Sequence, residues 1–198
     1  MIIPMPALAQ QPMTLDEWYA LDEDEPGEIV DGFLVEDEVV GYAHEFVVIW
    51  LAHAIRTWGF LRGAIVAGSG GKFAIRPNRG RMPDLTVYLA GSKRPPMRGL
   101  IRVPPTIAVE VISPTPRDQR RDRVEKLHDY AEFGVRGYWL VDPELRTFEI
   151  FELGADGRYA HAVGVADGGV SPPGCDGLVL DISGLWRELD ELAASSDE

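Results

Sequence analysis

The sequence predicts an α/β (α+β) fold, a mixed central sheet flanked by helices, with an N-terminal helix and hairpin. Three observations predict it. Short apolar runs rich in Val and Ile recur through the middle and the C-terminal part of the chain. Two longer segments, 44–58 and the end of the chain, repeat apolar residues at helical spacing. The order is helix, strands, helix, strands, without regular βαβ alternation. With 198 residues, 45% of them hydrophobic, the chain is long enough for one real core. Residues 1–192 are expected to form a single domain and 193–198 a disordered tail.

Each element has its own signal. "TLDEWYAL" is a short helix, with Thr14 as its cap and Glu17 three residues on, the capping-box spacing. "GEIVDGFLVED" places two apolar runs around Asp31-Gly32, a hairpin signal. Val47, Leu51, Ile55 and Trp58 recur at helical spacing, and Gly59 supplies a stop. "GAIVAG" and "KFAIRP" are strands around "GSGG", which reads as a hairpin turn. "PDLTVYLA" is a strand opened by Pro83, and "PPTIAVEVIS" is continuous enough to be central. "RDQRRDRVEKLHDYAEF" is a helix ending before Gly134. "GYWLVDP", "TFEIFEL" and "GRYAHAV" are strands. "GVADGGVSPPGCDG" reads as a long loop, and "LVLDISGLWRELDEL" as a strand and an amphipathic last helix.

Composition excludes several classes. The single cysteine, Cys175, rules out an internal disulfide framework and a Cys-rich zinc site, and fits a reducing cytoplasm. No apolar run approaches the ~18 residues of a membrane span. "MIIPMPALAQ" lacks the basic start of a signal peptide. "VAGSGGKF" lacks the P-loop spacing. "AGSGG" is followed by a strand where a nucleophile elbow needs a helix. The net charge of −13 conceals an uneven distribution. Residues 1–55 carry 12 acidic side chains and no Lys or Arg, whereas 56–103 carry 10 Lys or Arg and one acid, Asp84. The basic segment is either a footprint for a polyanion or the partner of the acidic segments across the fold.

One charge sits inside an apolar strand. In "IAVEVI", Ala108, Glu110 and Ile112 share one face and Ile107, Val109 and Val111 the other. A buried carboxylate needs a partner. In "MPDLTVYLA", Asp84 lies at the mouth of its strand, on the face of Thr86 and Tyr88. If the two strands are neighbours, Asp84 and Glu110 converge, and two carboxylates can hold a hard cation. Alternatively Asp84 caps a turn and Glu110 pairs with a buried Arg. Asp122, Lys126 and Tyr130 share a helical stripe apart from an apolar one of Val124, Leu127 and Ala131. Lys126 then faces the same site, or forms an ordinary surface pair with Asp122.

These residues resemble the PD-(D/E)xK nuclease superfamily, and within it the restriction-endonuclease branch known as Uma-two. The resemblance runs from "TLDEWYAL" to "FEIFEL". Its most specific part is VEVISP followed by D-x3-K-x3-Y, G-V and YWLVDP. It implies a restriction-endonuclease-like core and metal-dependent hydrolysis of DNA phosphodiester bonds. It implies Asp84 and Glu110 as ligands of Mg²⁺ or Mn²⁺, and Lys126 as the active-site lysine. The superfamily's usual lysine position, two after the glutamate, is Ile112 here. Glu28 and His44 match recurring polar positions, Glu28 as a further acid and His44 as a contact to phosphate or water. For His44 a local hydrogen bond at a helix start is the alternative. Arg76, Arg79 and Arg81, with Lys93, Arg94, Arg98 and Arg102 beyond, are expected to grip the DNA backbone. The rival function is a catalytically inactive nuclease-fold module that binds DNA or protein. The apolar strands and "GYWLVDP" are compatible with a homodimer.

Overall fold

Alternation along two neighbouring strands sets the architecture of the computed structural model, which describes residues 11–21, 27–35, 41–113 and 120–195. The chain opens with α1 (Leu15–Tyr19), where Thr14 and Glu17 form a complete capping box. A hairpin follows, β1 (Glu28–Val30) and β2 (Phe33–Val35), turned by Asp31 and Gly32, both at positive φ. The turn chemistry is the one Asp-Gly favours. Next come α2 (Tyr42–Gly59), β3 (Ile65–Ala67), β4 (Phe73–Arg76), β5 (Arg79–Arg81), β6 (Leu85–Tyr88) and β7 (Ile107–Val111). A π-helical turn, Arg121–Glu125, leads into α3 (Lys126–Phe133), which Gly134 ends in the left-handed conformation. The chain closes with β8 (Gly137–Asp142), β9 (Thr147–Leu153), β10 (Tyr159–Val165), β11 (Gly169–Val170), β12 (Leu180–Asp181) and α4 (Ile182–Ser195).

The main sheet has six strands in the order β10-β9-β8-β7-β6-β3. Only β7 and β8 run parallel, and α3 is the crossover that such a pair requires. A second, antiparallel sheet has the order β2-β1-β5-β4. On one face of the main sheet, Leu85, Val87, Ile107, Val109 and Val111 pack against Val47, Leu51 and Ile55 of α2 and Leu185 of α4. On the other face, Ala108, Ile112, Tyr138 and Leu140 pack against Tyr130 of α3. Trp18 of α1 fills a third cluster with Leu15, Ile29 and Ala74. Gly80 makes room for it, since a Cβ there would lie 2.3 Å from the indole ring.

The mixed sheet with flanking helices agrees with the sequence. Four local readings change. "GSGG" is not a hairpin turn: β3 pairs with β6 and β4 with β5, so the glycines carry the chain from one sheet to the other. The hairpin lies instead at Pro77-Asn78, ahead of β5, a strand whose three arginine and glycine residues gave no apolar signal. Gly59 is the last residue of α2, as expected, and a 3-10 turn then runs to Gly63. The expected loop after Gly164 contains the end of β10 and all of β11, and buries Cys175. The last helix continues to Ser195, three residues into the expected tail; 196–198 lie outside the described residues. β8, the "GYWLVDP" strand, is buried along its whole length between β7 and β9, so it is sheet interior and offers no dimer face. Among the described residues no helix is long and apolar enough to cross a membrane.

Candidate active site

Register brings the two carboxylates together. β6 and β7 are antiparallel with Leu85 opposite Val109, so Asp84, one step earlier, is level with Glu110, one step later. Asp84 Oδ2 accepts a hydrogen bond from the Val111 backbone N–H at 2.7 Å. His44, in the first turn of α2, brings its Nε2 to 3.2 Å from the same oxygen. Glu110 is 2% exposed, and both its oxygens are engaged. Lys126 Nζ donates to Oε2 at 2.8 Å, and the Tyr130 hydroxyl donates to Oε1 at 2.5 Å. The partner is therefore a lysine from the crossover helix rather than a buried arginine.

Lys126 is itself enclosed. Asp122 Oδ1 lies 3.1 Å from its ammonium and Glu28 Oε1 3.8 Å. The π-helical turn makes this geometry: the Lys126 N–H bonds Arg121 O, five residues back. One extra residue shifts the phase of the helix by about 100° between its two halves. Asp122, Lys126 and Tyr130 face inward as their spacing predicts, joined by Asp129, and of the expected apolar stripe Leu127 packs on the core while Val124 is 49% exposed. Tyr138 of β8 supports the turn by donating to Asp122 O at 2.9 Å.

Glu28 joins the site to the second sheet. It accepts from the Met82 N–H at 2.9 Å and from Arg81 Nη1 at 2.6 Å. Arg81 is fully buried and also donates through Nε to Asp129 at 2.7 Å. Its expected role as a DNA grip is thereby corrected, because a guanidinium with no exposed surface touches no phosphate. Arg79 is nearly as buried and binds Asp31 at 3.0 Å, so it too is a structural group. Arg76 alone of the three is part-exposed, and it pairs with Glu132 at 2.5 Å. β6 carries the chain away from Asp84, so Lys93, Arg94, Arg98 and Arg102 follow its far end, not the carboxylate end. Asp129 had no distinguishing signal in the sequence. It is one more acid on a polar helix, and only the arrival of Arg81 from β5 gives it a purpose.

The electrostatics separate the members. Burial alone would raise Glu28, but Lys126 and Arg81 outweigh it and hold the carboxyl down at about 2. Burial pushes Glu110 well above the usual carboxylate range; Lys126 opposes this, while Asp84, Asp122 and Glu28 add to it. Asp122 is raised by burial, with Lys126 opposing. Burial disfavours the Lys126 ammonium, yet Asp122, Glu110 and Glu28 raise it well above an ordinary lysine. For His44 burial lowers the pKa, and the bond and charge of Asp84 reverse that, leaving it raised. The cluster around Lys126 thus holds more negative than positive charge.

That imbalance bears on a metal. Among the described residues no group of three or more His, Cys, Asp or Glu could hold a metal ion. Asp84 and Glu110 form a two-carboxylate set, which is what Mg²⁺ commonly takes from protein, with water and phosphate completing its shell. Each Glu110 oxygen has one hydrogen bond and a lone pair to spare. The donors fit a hard divalent cation in number and type.

Comparison with known proteins agrees with this fold. A crystal structure described as "a putative nuclease belonging to DUF820" from Anabaena variabilis superposes with a TM-score of 0.72 at 18% identity, covering 90% of this chain and 99% of that one. The likeness establishes a shared fold. No curated protein sequence matches the chain. The model of the Uma2 family, described as "Putative restriction endonuclease", matches residues 13–183, a span that holds both sheets, the crossover helix and every member of the charged cluster. By that match the chain belongs to the Uma2 restriction-endonuclease-like family.

Proposed function

We propose that the chain is a metal-dependent endonuclease that hydrolyses DNA phosphodiester bonds. One observation carries the reading: a strand mouth, a strand end and a crossover helix deliver Asp84, Glu110 and Lys126 to one negatively charged position. Asp84 and Glu110 would hold Mg²⁺ or Mn²⁺. When bound, such an ion supplies an activated water and polarises the scissile phosphate. Lys126 offers its ammonium to the negative charge that grows on the phosphate oxygens. Asp122 and Tyr130 keep that ammonium and Glu110 in register. His44 fixes the rotamer of Asp84 through Oδ2. DNA as the substrate rests on the family description, and among Arg76, Arg79 and Arg81 only Arg76 has surface to offer a strand.

The test is nicking of supercoiled plasmid with Mg²⁺ or Mn²⁺. Asp84→Asn and Glu110→Gln keep the shapes and remove the charges, and each should cost about 100-fold or more. Cleavage that survives both substitutions and chelation would reject the mechanism. One observation favours the second reading, an inactive module: both oxygens of Glu110 are already bound and buried. A folded protein that binds DNA and never nicks it would support that reading.

A further inference from the structure

A helix packed on a sheet normally shows water a charged face. The outward face of α2 does not. At 3.6 residues per turn, Tyr42, Ile49 and His53 lie within about 20° of one outward line, and Phe60 continues it into the following turn. Tyr42 is 76% exposed, Ile49 66% and Phe60 67%. The opposite side, with Val47, Leu51 and Ile55, is fully buried in the core. Exposed apolar surface arranged as a stripe marks an interaction site more often than scattered apolar residues do. The question is what covers it.

The stripe is complementary to itself. Tyr42 and Phe60 are equidistant from residue 51, and so are Ile49 and His53. The charges beside it follow the same symmetry: Glu45 and Arg56 lie on one flank, six positions before residue 51 and five after it. A two-fold axis that pairs antiparallel helices keeps each flank against its own copy. Glu45 of one molecule then meets Arg56 of the other, twice, within about 1.5 Å of the same height. We propose that α2 pairs antiparallel with α2 of a second copy of this chain, with the two-fold axis at the level of Leu51. Tyr42 packs on Phe60 and Ile49 on His53 across the axis. His44 points to the other side of the helix and into Asp84, so the pairing leaves the candidate active site open. The inference does not rest on the nuclease reading.

Sedimentation velocity over a concentration series tests it. The wild-type protein should be a dimer. Ile49→Glu should be a monomer that keeps the wild-type circular-dichroism spectrum, because residue 49 is exposed in the single chain. Glu45→Arg or Arg56→Glu alone should weaken the dimer about tenfold by setting like charges face to face, and the double reversal should restore it. A bifunctional maleimide should cross-link His53→Cys, whose two copies are offset by about 6 Å along the axis, and not Tyr42→Cys, offset by about 27 Å. A wild-type monomer at every concentration would overturn the proposal. So would a dimer that survives Ile49→Glu, a double reversal no better than either single one, or equal cross-linking at 42 and 53.

Discussion

Two charged clusters share Glu28 and differ in balance. Around Arg81, one guanidinium meets Glu28 and Asp129, and Met82 N–H serves the remaining oxygen of Glu28. Every carboxylate there has a strong donor, and Glu28 is held at about 2. Around Lys126, one ammonium faces Glu110, Asp122 and Glu28, with Arg121 4.0 Å from Asp122 and Asp84 close enough to repel Glu110. There Glu110 and Asp122 are raised. The first cluster ties the second sheet to α3 and has no vacancy for chemistry. The second is short of positive charge at the place where two strands and a helix meet. Burial is similar in both, so the difference lies in how closely the cations meet the carboxylates and not in solvent access.

Removing the central cation from each cluster should separate them most widely. Arg81→Met leaves Glu28 and Asp129 buried without their guanidinium, and should lose about 3–5 kcal/mol in urea unfolding at neutral pH. Lys126→Met should lose less, about 1–3 kcal/mol, because Glu110 is already biased toward its protonated form and can neutralise itself. Equal losses would erase the distinction. A smaller effect is expected from pH. Glu28 is depressed from 4.5 to about 2, so its contribution is complete above about pH 4.5 and is lost as pH falls from there toward 2. Glu110 is raised, so its contribution is complete below its ordinary range and is lost as pH rises through the folded value. Glu28→Gln should therefore flatten the acid limb of stability against pH, and Glu110→Gln the opposite limb. The smallest effect belongs to His44. Its raised pKa adds stability that is complete below 6.5 and disappears as pH climbs past the folded value. His44→Gln should remove that slope and change stability by about 1 kcal/mol or less.

Much of this was legible in the residues. Strand alternation gave Glu110 and Asp84 each a face of its own strand, because the period of two is strict, and the pairing of β6 with β7 then brought the two faces together. The capping box and the Asp-Gly hairpin were local signals and appear as read. What escaped depended on long-range pairing. β5 carries Arg-Gly-Arg, and nothing in that triplet says that a buried acid waits on α3 for Arg81. A basic residue near a candidate phosphate site looks like a grip until its burial is seen. The π-helical turn escaped as well, and Val124, expected on the apolar stripe, is exposed. Periodicity assumes an unbroken helix.

The proposed function requires Asp84 and Glu110 together to hold a divalent cation. Calorimetric titration of Mn²⁺ into the metal-free protein tests it most directly. One binding event per chain is predicted, abolished by Asp84→Asn and by Glu110→Gln and retained in His53→Ala. No measurable heat in the wild-type protein, or binding unchanged by both carboxylate substitutions, would contradict the account.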